Sequence, residues 1–194
     1  MHQSIIINHV QKIIQLNEEE QDYLCSLLQE KKIPRKDYLL HENQICDFSA
    51  FVVSGCLRAY SIDDNGIEHI LQFAPQNWWI TDMFSLLSGK VAHLNIDAVE
   101  DTEVLLLSKS NQELLYERVP KFERYFRILI QNSTVASRQR VLDNLELSAK
   151  DRFAKFCTTY PSLINTIPQK QIAAYIGVTP EFLSKMKAEY LRSL

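Results

Sequence analysis

The chain has 194 residues, 46% of them hydrophobic and 23% charged, with a net charge of −3. That is enough for one large domain or two small ones with real cores, and it is the composition of a globular protein rather than a disordered or fibrous one. No apolar run reaches the roughly 18 residues of a membrane span. The start of the chain, with Ile5-Ile6-Ile7 but no basic n-region or small-residue cleavage site, does not read as a secretory signal.

Residues 4–30 read as helical, with Ile6, Ile7, Val10, Ile13 and Ile14 on one stripe. Asn17 followed three residues later by Glu20 is a capping pair leading into Tyr23-Leu24 and Leu27-Leu28, and Pro34 closes this part. From 35 to 108 the texture becomes short strands and turns. Phe51-Val52-Val53 is a β-rich run broken by Ser54-Gly55. Cys56 to Ile62 and Ile67 to Phe73 flank Asp63-Asp64-Asn65-Gly66, a strong hairpin signal. His93 to Val99 and Val104 to Leu107 are further strands, joined by Glu100-Asp101-Thr102-Glu103. Between them Asp82 to Leu87 can form a short helix ended by Ser88-Gly89. Strands at this spacing predict an antiparallel sandwich or barrel.

A long uninterrupted helix is expected from Pro120 to about Leu145. Phe122, Leu129 and Ala136 recur at seven, with Phe126 and Ser133 one turn on, which predicts a dimer seam; the alternative is a helix packed only on its own barrel. Leu145 to Ser148 is the expected hinge, because Ser148 with Asp151 restarts a helix that Tyr160-Pro161 ends.

In the last stretch, Ile172, Ala173 and Ile176 make an inward stripe, and Gly177 is free to take positive φ. Thr179 caps a second helix whose first residue is Pro180. Leu183, Met186 and Tyr190 share one face, and Glu181, Ser184, Lys185 and Lys187 fall mainly on others. This is the layout of a helix-turn-helix, in which the second helix enters the DNA major groove; an ordinary helical hairpin is the plain alternative. From 149 to 194 seven basic residues stand against three acidic ones, a balance of +4 that leaves −7 on the first 148. An acidic body with a basic tail suits a polyanion-reading module attached to something else.

Helical lead, β-barrel, long helix and helix-turn-helix follow in an order that resembles the CRP/FNR superfamily of bacterial transcription regulators. Ile33-Pro34-Arg35-Lys36-Asp37-Tyr38-Leu39-Leu40-His41, then Phe51-Val52-Val53-Ser54-Gly55-Cys56-Leu57-Arg58 with its hairpin, and the C-terminal motif carry the likeness. The resemblance implies an α+β chain: residues 1–145 as an effector-sensing antiparallel β-barrel of jelly-roll type, similar to cyclic-nucleotide-binding domains, with a long dimer helix at about 120–145. Residues 146–194 would be the DNA-binding domain. It also implies a homodimer, with double-stranded DNA as partner and RNA polymerase as a further candidate; the scattered cysteines Cys25, Cys46, Cys56 and Cys157 suit reduced thiols in a cytoplasm. Gln169, Lys170 and Lys187 would hold phosphates, and Thr179, Glu181, Ser184 and Lys185 would lie at the reading end. Pro180 replaces a residue that is often polar or basic in similar regulators, and Leu194 leaves no room for a β-hairpin wing, so less buttressed DNA binding is expected.

Cyclic-nucleotide-binding members carry a Gly-Glu pair and then an Arg with a small residue, which together grip the cyclic phosphate. The span Asn77 to Asn95 has no Gly-Glu pair and no Arg, so cyclic AMP is not expected to bind in the usual way. An unidentified effector would meet Trp78, Trp79, Asp82, Phe84, His93 and Asn95, with Ser137 and Arg138 from the long helix. The competing reading has the two tryptophans simply filling the barrel.

No catalytic constellation is present, and an enzyme is not expected. His41, His69 and His93 are isolated, without the multi-ligand spacing of a metal site. Cys25 alone cannot make an iron–sulfur cluster, and the scattered cysteines indicate neither zinc nor a disulfide frame. The other class kept open is a ligand-sensing or protein-interaction module whose helix-turn-helix no longer grips DNA.

Overall fold

Asn17 and Glu20 exchange side-chain and backbone hydrogen bonds of 2.8 and 2.9 Å, closing a capping box that starts α2 (Glu18–Ser26) after α1 (His2–Gln11). These belong to a computed structural model that describes residues 2–192, with side chains described through Lys187. The side chain of Tyr190 therefore lies outside the described residues.

The expected helix over 4–30 ends at Ser26, and the chain then extends into β1 (Leu28–Ile33). Its partner overrides the local pattern: Leu28 to Ile33 pair antiparallel with Leu107 to Thr102 of β8 (Thr102–Ser108). β1 is an edge strand, and it exposes Gln29 together with Glu30, Lys31 and Lys32, whose charges discourage pairing with a stranger. The other strands are β2 (Tyr38–Leu40), β3 (Phe48–Ser54), β4 (Cys56–Ile62), β5 (Glu68–Pro75), β6 (Trp79–Ile80) and β7 (Asn95–Ala98).

They form two four-stranded sheets, ordered β1-β8-β3-β6 and β2-β7-β4-β5, rather than a closed barrel. Short β2 and β6 sit at sheet edges, so the hydrogen bonding does not run continuously around. Period-two alternation sorts the strand residues into two cores. Ile33, Leu40, Ala50, Val52, Leu57, Ala59, Ile80, Ile96 and Val104 pack between the sheets. Phe51, Val53, Leu105 and Leu107 pack on the opposite face, against Ile6, Val10 and Leu24 from the leading helices. Leu115 of α4 (Lys109–Arg118), a helix the sequence pattern did not mark, and Phe122, Tyr125 and Phe126 of α5 (Lys121–Glu146) complete that layer.

α3 (Met83–Ser88) begins on the Asp82 cap and ends at Gly89 in the left-handed conformation. After α5, Ser148 caps α6 (Ala149–Thr159) through the Asp151 amide. α7 (Gln169–Ile176) and α8 (Pro180–Arg192) follow. The chain divides into two compact units, Met1–Ser61 with Leu71–Ile130, and Ile62–Ile70 with Gln131–Leu194. Within the second unit Phe153, Phe156, Leu163, Ile172, Ala173, Ile176 and Leu183 are buried. No described helix is long and apolar enough to cross a membrane.

Candidate functional site

α7 and α8 meet through a three-residue turn. Gly177, at φ 73°, lets the chain reverse after Ile176, and the amides of Gly177 and Val178 both close on the Ala173 carbonyl. The Thr179 hydroxyl accepts the Phe182 amide at 3.3 Å, capping α8 with Pro180 as its first residue. Ile172, Ala173, Leu183 and Met186 are buried, so one face of each helix is committed inward. Gln169, Lys170, Glu181, Ser184 and Lys185 are exposed. Lys187 is half-buried and donates to the Ile164 carbonyl at 3.4 Å, so it carries positive charge while bracing the preceding loop.

Three of these residues interact locally. The Ser184 hydroxyl donates to Gln169 Oε1 at 2.9 Å and lies 3.0 Å from the Pro180 carbonyl. Glu181 is held below its ordinary pKa by its own backbone amide and then by the Thr179 hydroxyl, so it presents an ionised acceptor at the start of α8. Phe182, which the sequence reading passed over, stands 52% exposed beside it.

The eight residues expected to line an effector pocket occupy different surroundings. Trp79 points into the helix-facing layer, where its ring meets Phe51 and Phe126 and its indole N–H donates to the Tyr125 hydroxyl at 2.8 Å. Trp79 thus fills a core as the plain reading held, but on the helix side of the sheet rather than between the sheets. Trp78 is exposed. Phe84 and His93 pack edge to face at 4.6 Å on the surface. Asn95 is buried, accepts the Glu42 amide at 3.1 Å, and lies opposite Tyr60 of β4. Ser137 and Arg138 are exposed on the part of α5 that belongs to the second unit.

Asp82 is the most telling of the eight. Buried, its carboxylate accepts the amides of Ser85 at 2.9 Å, His93 at 3.0 Å and Leu94 at 3.1 Å. Those amides, which converge as an anion cradle would, are occupied by the chain's own negative charge. Sequence reading also missed a buried ion pair on the face of β4 and β7 away from the inter-sheet core. Arg58 Nε and Nη2 donate to the two carboxylate oxygens of Asp97 at 2.7 and 2.8 Å, and the guanidinium lies 4.2 Å from the Tyr60 ring centre. Two such residues alternate with apolar ones in ordinary strands, so nothing local flagged them.

Of the five residues expected at a dimer seam, three lie in or against their own unit's core and two are exposed. Phe122 and Phe126 are buried in their own unit's core and Leu129 packs against it, so the seven-residue recurrence marks the face of α5 turned to its own sheet. Ser133 and Ala136 continue that face and are exposed, as is all of 131–139. On the opposite side Val135, Leu142 and Leu145 are 68%, 45% and 78% exposed, and with Arg138 they step by three, four and three residues.

Residues 30–118 match the model of the cyclic nucleotide-binding domain family. Solved structures similar to the chain include FixK2 from Bradyrhizobium japonicum, at 19% identity and TM-score 0.76, covering 86% of this chain and 85% of that one. A protein from Eubacterium rectale described as a transcriptional regulator of the CRP/FNR family matches at 18% identity and TM-score 0.68, covering 92% and 85%. The catabolite activator protein of Thermus thermophilus matches at 21% identity and TM-score 0.60, covering 95% and 87%. No match was found among curated proteins.

Proposed function

We propose, from a chain that has the fold of the CRP/FNR transcription regulators, a dimeric sequence-specific DNA-binding regulator that does not respond to cyclic AMP in the usual way. The observation that carries this is the α7–Gly177–α8 turn with Glu181, Ser184 and Lys185 exposed beside a buried Leu183–Met186 face. As a helix-turn-helix, it lays α8 in the major groove, where Lys185 donates to guanine and ionised Glu181 accepts from cytosine. Gln169, Lys170 and Lys187 supply donors and charge for phosphates, which set register without carrying sequence information. Thr179 fixes the start of the reading helix.

Two copies associate along α5 through Val135, Arg138, Leu142 and Leu145, whose spacing is that of a short coiled coil. A symmetric pair requires two half-sites about one helical turn apart. The Asp82 carboxylate, already holding three amides, opposes a cyclic phosphate at α3, which supports a different effector or none. Selection of bound duplexes from a random pool tests the proposal. A two-fold-symmetric site with that spacing is expected; a pool that never enriches would remove the DNA-reading role and leave a sensor or interaction module.

A further inference from the structure

Arg140 of α5 reaches two backbones from one nitrogen. Its Nη2 donates to the Ile70 carbonyl of β5 at 2.6 Å and to the Tyr175 carbonyl of α7 at 2.9 Å. The guanidinium carbon lies 4.0 Å from the centre of the Tyr175 ring, which packs against Phe156 at 5.4 Å and Tyr160 at 5.5 Å. One Nη carries two protons, so both bonds form at once. Each acceptor has a reason to need an outside donor. Tyr175 sits in the last turn of α7, where helix carbonyls lack partners within the helix and a cation meets the negative end of the dipole. Ile70 lies on β5, an edge strand of its sheet. Arg152 holds the following carbonyl in the same way, with Nε 3.0 Å from Ile176 O and Nη1 2.7 Å from Leu147 O.

The residues just before the Gly177 turn are therefore gripped by two guanidiniums, and one of them also grips the β4–β5 hairpin. We infer that Arg140 is a positioning residue that links the placement of that hairpin to the aim of α8, an inference that rests on the DNA-reading proposal for its consequence. β5 runs without a break from the hairpin into Leu71–Pro75, within residues 30–118, the cyclic-nucleotide-binding-domain match. A shift of the strand along its axis carries the Ile70 carbonyl, the planar guanidinium and the Tyr175 carbonyl together. Lysine would keep the charge at the helix end, but its point ammonium on a flexible stem lacks the fixed fork that spans both carbonyls. Any such coupling acts in both directions, so holding α7 on DNA must also quiet the hairpin.

Hydrogen exchange on the 194-residue chain reads this directly. Without DNA, Arg140→Gln should speed exchange roughly tenfold in two segments at once, 67–71 and 175–178, as loss of a charged hydrogen bond implies. Exchange in 51–53, in the other unit, should stay unchanged. If only one segment responds, or neither does, the link is refuted. With a short random-sequence duplex at low salt, the wild-type hairpin should slow its exchange, and in Arg140→Lys it should not, at retained affinity. Equal slowing in Arg140→Lys would also refute the link. Failure of the duplex to bind would instead count against the DNA reading, while the DNA-free arm still decides the role of Arg140.

Discussion

Across the turn between α7 and α8, the Ser184 hydroxyl donates to the side-chain carbonyl of Gln169 at 2.9 Å. One residue proposed to read a base is thus tied to one proposed to hold a phosphate. The bond turns Gln169 Oε1 toward Ser184 and leaves both N–H donors of the amide for a phosphate oxygen. The bond joins register to reading.

Lys185 is exposed on the outward face of α8, one turn from Glu181. Lys185→Ala should weaken binding to a selected site by about 1–3 kcal/mol and relax preference at one or two positions. Competition binding against single-base variants of the site checks this. An unchanged preference profile would take Lys185 out of the reading set.

Lys170 sits in the first turn of α7, exposed. Lys170→Ala should lower affinity evenly across sequences and reduce the slope of log affinity against log salt by roughly 0.9, the effect of one lost phosphate contact. A loss confined to some sequences would contradict that assignment.

Leu142 is 45% exposed and packs away from the core that holds Phe122 and Phe126. Leu142→Glu should yield folded monomers in sedimentation, with tight DNA binding lost. Leu129→Glu, by contrast, should lower stability, because Leu129 packs against its own unit's core. A Leu142→Glu protein that sediments as a dimer would place the interface on another surface.

Cyclic AMP should leave the thermal midpoint unmoved, because Asp82 holds the Ser85, His93 and Leu94 amides and its carboxylate would repel a phosphate approaching them. A ligand that bound the folded state at 100 times its Kd would stabilise by about 2.7 kcal/mol, which a melting curve detects. A clear upward shift would overturn the account of Asp82.

His9 introduces a pH dependence. The Trp79 indole donates to the Tyr125 hydroxyl, which is hydrogen-bonded to His9 Nδ1 2.9 Å away. Burial, and then the charge of Lys12, lower the His9 pKa below the ordinary 6.5. The unfolded chain therefore binds this proton more readily than the folded one. Stability should fall as pH drops through 6.5 toward the lowered value, and level off below it. In His9→Asn that acid-side decline in Tm should be shallower; an identical pH profile would show that His9 is not its source.

What was legible in the sequence was local. The Asn17–Glu20 box, the Asp82 and Ser148 caps, the Asn65-Gly66 hairpin and the Gly177 turn all follow from residues within five positions of one another. β1 was hidden because its strand state comes from pairing with β8, some 70 residues on. The long helix was found, but its seven-residue recurrence through Phe122 and Leu129 marks the face turned to its own core, while Val135 and Leu142 face out. Periodicity reports that a helix has an apolar face and says nothing of what covers it. Arg58–Asp97 and Arg140–Ile70 span 39 and 70 residues, so no window of sequence joins them.

The most direct test of the central claim is a titration of a labelled random-sequence duplex with the purified protein, followed by anisotropy from low to moderate salt. Saturable binding that weakens steeply as salt rises, as expected when several lysines displace counterions, is the predicted result. A flat signal at the lowest salt would contradict the claim that this protein binds DNA.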